Sequence, residues 1–268
     1  MEISNITKER IKEFLQQEKR FDTRKLLEFR EIKIETGISK NAEGSCRVRL
    51  GDTEVMAGVK IDVTEPYTDH EDEGTLIVST ELLPLSSPEF EYGPPRINAI
   101  EIARIVDRGI RESGIIDFKK LCIKKGEKVY GIFLDIYSIN DNGNLIDASC
   151  LASIAALLNA KMPKYDTKTE KVKYGELTNK GLPLTKKIPL TTTFYKVGDK
   201  IIVDPVSEEE DSSEARFSIT MSNDKKLLIN AIQKGGSNTF TEKEIEEILK
   251  LGEEKFKELE DKINKEIK

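Results

Sequence analysis

Hydrophobic and polar residues alternate along several short segments of the first half of the chain, at the period of two that half-buried β-strands show. The strands predicted from this alternation are 31–35, 45–50, 54–63, 76–83 and 128–140. Gly51-Asp52 predicts a tight turn between two of them, and Asp141-Asn142-Gly143-Asn144 predicts another after the last. The first half is therefore predicted to be rich in strands.

Other segments follow the helical period of about 3.6 residues. The predicted helices are 7–19, 98–113, 147–159 and 241–268. The pair Pro94-Pro95 ends the preceding element before the second helix begins. The third helix is apolar on all sides, which predicts a central position in the fold. The last is long and charged, and Thr241 with Glu244 forms a capping-box pattern at its start.

The second half repeats the combination of strands and helix after a polar, lysine-rich stretch with little pattern. Its predicted strands are 188–196, 200–204, 215–222 and 226–233. The fold class is therefore predicted to be α+β, with two subdomains that each combine a sheet with helices. We place an N-terminal α/β domain in residues 1–165, a linker or surface excursion in 166–187, and a C-terminal domain in 188–268.

The second predicted helix carries a stripe of arginines on one side. These are Arg104, Arg108 and Arg111, which fall within an arc of about 60°. Guanidinium groups stay charged and offer a planar fork of donors, so such a row suits a phosphate backbone. A solvated, salt-bridged face is the alternative, because acidic residues stand at helical pairing distances from the arginines. These acidic residues are Glu101, Asp107 and Glu112.

Composition narrows the classes of function. The chain has 268 residues, 34% of them charged, and a formal net charge of −6. This balance argues against general affinity for nucleic acids, although a local basic groove remains compatible with it. No stretch approaches the ~20 apolar residues that span a membrane, and residues 1–21 are too polar for a signal peptide. The three scattered cysteines indicate neither a disulfide framework nor a zinc site, so we expect a cytoplasmic protein.

Groups for familiar catalytic mechanisms are few. The single histidine, His70, could act as a base or a ligand, but in its acidic loop it is more typical of a solvated side chain. The acidic run 208–211 with Glu214 could hold a divalent ion, or could be a hydrated loop. The sequence contains no nucleophile-elbow, zinc-protease, phosphate-loop or dinucleotide motif. It therefore predicts no metal site and no cofactor.

Several short motifs occur in a distinctive order from residue 20 to the last helix. They are Arg20-Phe21-Asp22-Thr23-Arg24-Lys25 with Arg30, Gly44-Ser45-Cys46-Arg47-Val48 with Gly51-Asp52-Thr53-Glu54-Val55, Gly93-Pro94-Pro95 with Asn98-Ala99-Ile100-Glu101 and Val106-Asp107-Arg108, Leu145-Ile146-Asp147-Ala148, and Asp204-Pro205 with the following acidic triplet. In order and spacing they resemble the RNase PH family, and within it the non-catalytic RNase PH-like subunits of the archaeal exosome ring. The resemblance implies an RNase PH-like fold whose first half is similar to domain 2 of ribosomal protein S5.

Active members of this family degrade RNA from its 3′ end with inorganic phosphate, assisted by Mg²⁺. The chain departs from their pattern at two positions. Ile146 stands where those members carry an arginine that holds the phosphate ion, and Arg216 stands where the second of two carboxylates is expected, six residues after Glu210. Isoleucine offers phosphate no donor, and a guanidinium repels a metal ion and cannot act as a base. The resemblance therefore implies a chain with no catalytic residues of its own.

The same resemblance implies partners. A non-catalytic subunit of this kind alternates with a catalytic RNase PH-like subunit in a hexameric ring with three copies of each, together with cap proteins that contain S1 or KH domains. It also grips single-stranded RNA, which assigns phosphate contacts to Arg104 and Arg108, and less directly to Arg111. Such contacts carry little sequence preference. The absence of Trp and an aromatic content of 6% disfavour extensive base stacking.

Two other hypotheses stay open at this point. The chain could itself be a phosphate-dependent 3′–5′ exoribonuclease that uses the acidic run 208–211. Alternatively, it could be a stand-alone RNA-binding module that joins no ring. None of the three hypotheses involves a membrane.

Overall fold

The computed structural model describes residues 4–267 and contains helices and strands throughout. The strands are β1 (Ile32–Thr36), β2 (Gly44–Leu50), β3 (Thr53–Thr64), β4 (Thr75–Leu82), β5 (Cys122–Lys124), β6 (Lys128–Asn140), β7 (Lys161–Asp166), β8 (Lys171–Gly181), β9 (Pro189–Val197), β10 (Lys200–Val203), β11 (Ala215–Asn223) and β12 (Leu227–Gly236). The helices are α1 (Asn5–Gln16), α2 (Ile97–Ser113), α3 (Leu145–Asn159), α4 (Ser207–Asp211) and α5 (Glu242–Glu266), and Phe118–Leu121 form a short 3₁₀ helix. The predicted α+β class is confirmed.

The first half of the chain forms a six-stranded sheet in the order β1-β2-β3-β6-β4, with β5 paired to β6. Its neighbouring strands are antiparallel except for β4 and β6, which run parallel. Along β3, Val55, Ala57 and Val59 are buried while the residues between them are partly exposed. This sheet therefore buries one face, as the alternation in the sequence predicts.

The second half forms a four-stranded antiparallel sheet in the order β10-β9-β11-β12. Helix α3 contacts β2 and β3 of the first sheet and β9 of the second. Every residue from Leu145 to Leu157 is buried, which explains why this helix is apolar on all sides. Helix α2 contacts β4, an edge of the first sheet, and β12, an edge of the second.

The lysine-rich stretch between the two sheets is more ordered than the sequence suggested. Strands β7 and β8 pair antiparallel, so residues 171–181 of the interval 166–187, interpreted as a linker or surface excursion, form one strand of a hairpin. Nearly all of β8 is exposed, with Val172 its one buried residue. A strand with no buried face shows no hydrophobic alternation, so the pattern could not reveal it. The Tyr174 hydroxyl donates to Asp62 at 2.6 Å and ties the hairpin to β3.

The acidic run 208–211 forms the short helix α4 rather than a loop. Glu209 within it is buried and accepts a hydrogen bond from Arg20 Nε at 2.9 Å, so this carboxylate is structural. The capping box at Thr241 and Glu244 is confirmed: the Thr241 hydroxyl accepts from Glu244 N–H, and the Glu244 carboxylate accepts from Thr241 N–H. Among residues 4–267, no helix is long and apolar enough to cross a bilayer.

Candidate nucleic-acid interface and the adjoining cleft

Helix α2 presents one face to both sheets and the other to solvent. Its buried residues are Ala99, Ile102, Ile105, Val106, Gly109, Ile110 and Ser113. At Gly109 the helix approaches β11 closely, since a methyl group there would lie 3.2 Å from Thr220 Cγ2. The helix ends at Gly114, which adopts the left-handed conformation with φ 65°. This packing fixes the position of α2 and leaves its opposite face exposed to solvent.

The three predicted RNA-binding arginines lie on the exposed face but are not equivalent. Arg104 and Arg108 make no hydrogen bond or ion pair with any residue that the structure describes. Arg111 is engaged: its Nε donates to Asp107 at 2.9 Å and its Nη2 donates to the Leu76 carbonyl at 2.6 Å. Its guanidinium also lies 6.0 Å from the ring centroid of Phe118. Two guanidinium groups are therefore free for a ligand, and the third is held against the fold.

The alternative of a salt-bridged face holds for Arg111 alone. Glu101 does not turn to Arg104; its carboxylate forms an ion pair with the guanidinium of Arg216 on β11. Arg108 and Glu112 are not bonded to each other in the described chain.

Grooves flank α2 on both sides. One, of about 460 Å³, lies between the helix and β4, and Ser79 and Thr80 contribute to its wall. The other, of about 380 Å³, lies between the helix and β11–β12, where Ile232 contributes. Arg104 and Arg108 line both grooves. Arg104 and Arg108 therefore lie on the ridge between the two grooves, and their guanidinium groups can contact a ligand bound in either groove.

The positions expected to have lost catalytic groups meet in one cleft beside α2. Ile146, Glu210 and Arg216 all line this cleft, whose volume is about 540 Å³. Ile146 lies at the start of α3 and is only 6% exposed. Burial lowers the pKa of the Arg216 guanidinium, but the hydrogen bond and charge of Glu101, together with the nearby Tyr195 and Glu210, raise that pKa above its ordinary value overall. The one cation among these three residues is thus already neutralised.

Glu210 lies across the cleft from the start of α3, and its carboxylate binds the backbone there. Its carboxylate accepts the Asn144 backbone N–H at 2.7 Å and the Tyr195 hydroxyl at 2.9 Å. Burial raises the pKa of Glu210, and these two hydrogen bonds only partly oppose that effect. Burial likewise raises the pKa of Asp141, with the Asp211 carboxylate adding to it. The cleft therefore holds carboxyl groups that retain protons more strongly than usual.

The other candidate groups do not assemble into a site. The His70 side chain is 59% exposed, with Nδ1 at 3.1 Å from Glu73 Oε2, as a solvated loop residue would be. Across residues 4–267, no three His, Cys, Asp or Glu side chains come together in a way that could hold a metal ion. Cys46 and Cys150 are buried, and burial raises the pKa of each thiol to about 12.

The first sequence motif proves to be structural. Arg20, Arg24 and Arg30 converge on the turn after β10, where Asp204 accepts hydrogen bonds from Arg24 and Arg30 and Glu209 accepts from Arg20. Sequence reasoning missed this network, and it also missed the contact of Glu101 with Arg216. The positive φ of Asp204, 51°, is a local irregularity that the sequence signals only weakly, through the Asp204-Pro205 step.

Comparison with known proteins identifies the family. Residues 28–163 match the RNase PH model, domain 1 of the 3′ exoribonuclease family, and residues 187–255 match domain 2 of the same family. This chain belongs to the RNase PH family of 3′ exoribonucleases. The RNase PH-like fold expected from the motifs is therefore confirmed.

Relatives within the family cover nearly the whole chain. Exosome complex component Rrp42 of Methanosarcina acetivorans is 45% identical over 96% of this chain and 93% of its own length. The protein of the same name from Thermococcus kodakarensis is 41% identical over 99% of this chain and 97% of its own. A solved structure described as the Archaeoglobus fulgidus exosome with RNA bound to the active site contains a chain that superimposes with a TM-score of 0.83. That chain is 42% identical, and the match covers 92% of this chain and 93% of that one.

Proposed function

We propose that this RNase PH-family chain is a non-catalytic, RNA-binding subunit of an exosome, a ring that degrades RNA from its 3′ end with inorganic phosphate. In that ring it alternates with a catalytic RNase PH-like subunit, three copies of each, and cap proteins with S1 or KH domains bind the assembly. The observation that carries the proposal is the contrast between α2 and the cleft. Arg104 and Arg108 are exposed and unpaired, whereas the neighbouring cleft presents Ile146 and an already paired Arg216.

The chemistry of the cleft supports the non-catalytic role. Phosphorolysis needs a cationic pocket for the attacking phosphate and carboxylates that hold the metal ion or move protons. Ile146 supplies neither charge nor donor, and the carboxylate of Glu210 already accepts the Asn144 N–H at the start of α3. A phosphate ion there would meet a carboxylate instead of a guanidinium. A metal ion beside Arg216 would meet a guanidinium, which has donors only and offers the ion no ligand.

The geometry of α2 supports RNA binding. Two guanidinium groups one helical turn apart can contact successive phosphates of a single strand, and such contacts fix the strand without reading its bases. A chain with this fold occurs in a solved exosome that has RNA bound to the active site, and the names of the curated relatives place them in exosomes. We therefore expect the RNA of the assembled ring to pass over α2 near the active site of the catalytic subunit.

The proposal is tested by phosphate-dependent degradation of a single-stranded RNA, with the chain alone and with its catalytic partner. We expect no activity from the chain alone, and activity in a hexamer-sized complex of the mixture. The double variant Arg104→Glu/Arg108→Glu should form the same complex but bind RNA at least tenfold more weakly, with a shallower dependence on salt. Lys243→Glu/Lys250→Glu on α5 reverses the same number of exposed charges and is the matched control.

Three outcomes would overturn parts of the proposal. Release of nucleoside diphosphates by the chain alone would make it an exoribonuclease in its own right. A monomer that binds RNA and gains nothing from the partner would make it a stand-alone module. Equal loss of RNA affinity in both double variants would mean that the effect is general charge rather than the α2 arginines.

A further inference from the structure

The ion pair that Glu101 forms determines whether the Arg104 guanidinium is paired or unpaired. Glu101 lies three residues before Arg104 on α2, a spacing at which oppositely charged side chains on a helix commonly pair. Its carboxylate instead forms an ion pair with Arg216, and Arg104 is left without a partner among residues 4–267. Pairing with Glu101 would neutralise Arg104 and place a carboxylate beside any bound phosphate. The partner that Glu101 takes therefore decides how strongly Arg104 can bind RNA.

The surroundings of Arg216 hold its guanidinium in position for the ion pair with Glu101. On the second sheet it lies directly between Tyr195 of β9 and Gly235 of β12. A methyl group at Gly235 would lie 2.6 Å from Arg216 Cζ, so the missing side chain provides the space that the guanidinium occupies. The Arg216 side chain is only 21% exposed, and its Nε is buried without a hydrogen-bond partner in the described chain. The Arg216 guanidinium is thus confined by packing, while the Arg104 side chain is exposed to solvent.

We propose that Arg216 is a positioning residue for RNA binding: it holds Glu101 away from Arg104 and so keeps the Arg104 guanidinium available to an RNA phosphate. The inference rests on the proposed function, because it assumes that Arg104 contacts RNA. It gives a role to a residue otherwise defined only by the catalytic acid that it replaces. The same substitution that removes a carboxylate from the cleft also withdraws a carboxylate from the RNA-binding face.

The geometry explains why Glu101 forms its ion pair with Arg216 and not with Arg104. A pair between Glu101 and Arg104 would be an exposed helical pair, in which both side chains lose freedom and water screens the charges. The pair with Arg216 is partly shielded from water, and its guanidinium already fills the space left at Gly235. When Arg216 is removed, Glu101 loses this partner, and Arg104 is the nearest cation on its own helix at pairing distance.

The test is a double-mutant cycle on the assembled ring, with RNA affinity measured in phosphate-free buffer so that the RNA is not degraded. Arg216→Met should weaken RNA binding about two- to fivefold and make it less sensitive to salt, because Glu101 then competes for Arg104. In the Glu101→Gln background, adding Arg216→Met should cause no further loss. Restored affinity and salt dependence in Glu101→Gln/Arg216→Met would support the proposal.

Each alternative role of Arg216 gives a different result. If Arg216 contacted RNA itself, the double variant would stay as weak as Arg216→Met. If it acted only on the fold, Arg216→Met would lower the melting temperature, and Glu101→Gln would restore neither affinity nor salt dependence. Either result would overturn the proposal.

Two more variants keep the charge at 216 and alter only its placement. Arg216→Lys retains a cation that can reach Glu101, so it should bind RNA nearly as well as the wild type. Gly235→Ala leaves Arg216 in the sequence but displaces its guanidinium, so it should weaken RNA binding in the same direction as Arg216→Met. Equal affinity of Gly235→Ala and the wild type, with the Arg216→Met loss unchanged by Glu101→Gln, would reject the positioning role.

Failure of this inference is distinguishable from failure of the proposed function. If Arg104→Gln leaves RNA affinity unchanged, the assignment of Arg104 to RNA binding is wrong. If Arg104→Gln weakens binding while Arg216→Met does not, the RNA-binding role stands and the positioning role of Arg216 is rejected.

Discussion

Arg30 and Asp204 form a fork-to-fork ion pair that joins the two halves of the chain. Arg30 Nη2 donates to Asp204 Oδ1 at 2.6 Å, and Arg30 Nε donates to Asp204 Oδ2 at 2.9 Å. The same guanidinium donates to the carbonyl of Asn142 at 2.7 Å, in the turn that precedes α3. One arginine thus connects the start of the first sheet, the entrance of the central helix and the turn after β10.

Asp204→Asn should destabilise the chain by about 3 kcal/mol, because it leaves the Arg30 guanidinium buried without its counter-charge. Asparagine tolerates the positive φ at this position, so the loss reports the charge rather than backbone strain. The shift in the denaturant midpoint at constant slope gives the value. The control is Glu253→Gln, which removes an exposed pair with Lys257 and should cost less than about 0.5 kcal/mol. Equal shifts in both variants would contradict the prediction.

Most elements of the fold could be predicted because the burial of each one produces a hydrophobic pattern within its own segment of the sequence. In β3 every second residue from Thr53 to Ile61 is buried, and the continuous burial of α3 appears as a continuous apolar run. Strand β8 could not be predicted in this way, because it is held by pairing with β7 and by the contact of Tyr174 with Asp62, not by a buried face. Pairing of backbone groups leaves no trace in the pattern of side chains.

Only the part of the site that lies within one helix could be predicted from the sequence. The shared face of Arg104, Arg108 and Arg111 follows from helical spacing, and the structure places all three in solvent. Helical spacing could not show that Glu101 turns to Arg216, because that partner lies on another element 115 residues away, the difference between positions 216 and 101. Tertiary contacts decide which of the three guanidinium groups are free.

Asp147 should make the stability of the fold depend on pH in a defined direction. It accepts hydrogen bonds from the Thr193 N–H at 3.0 Å and the Thr193 hydroxyl at 2.7 Å, yet burial raises the pKa of its carboxyl from 3.8 to about 7. The folded state therefore binds a proton between these two pKa values that the unfolded state releases. Its contribution to stability is greatest below the unfolded pKa, declines as pH rises, and is lost above about pH 7.

Asp147→Asn does not titrate, so the difference in unfolding free energy between wild type and variant isolates this group. We expect the wild type to gain on the variant as the pH is lowered through the window between 7 and 3.8. Denaturant unfolding at several pH values in that window measures the difference. Asp117→Asn is the control, because the Lys120 hydrogen bond lowers the pKa of Asp117 and its effect should run the opposite way. Parallel curves for wild type and Asp147→Asn would contradict the assignment.

Arg111 should contribute to stability more than to RNA binding. Arg111→Gln loses the bonds to Asp107 and to the Leu76 carbonyl and should cost about 1 kcal/mol of unfolding free energy. Arg104→Gln, which breaks no bond within the described chain, should leave stability unchanged and weaken RNA binding by the ring more strongly. Melting temperatures and RNA affinities of the two variants, measured side by side, separate these effects. Greater loss of affinity in Arg111→Gln would reverse the order proposed for the stripe.

Restoring an acid at Arg216 should not restore phosphorolysis. Arg216→Asp would return a carboxylate to the cleft beside Glu210, but Ile146 would still offer the attacking phosphate no charge and no donor. The assay is phosphate-dependent release of nucleoside diphosphates by the purified variant without its partner, with the complete wild-type ring as the positive control. We expect no release above background.

The same variant should also bind RNA less well in the assembled ring, because an aspartate at 216 repels Glu101 and leaves it to Arg104. Adding Glu101→Gln should recover part of that affinity without producing activity. Phosphorolysis by Arg216→Asp alone would mean that the acid was the one missing component and that Ile146 does not prevent phosphate binding. A silent, RNA-weakened variant that Glu101→Gln rescues for binding would connect both properties to the same guanidinium. In the proposed function, this guanidinium stands where a catalytic acid is expected and keeps the Glu101 carboxylate away from Arg104.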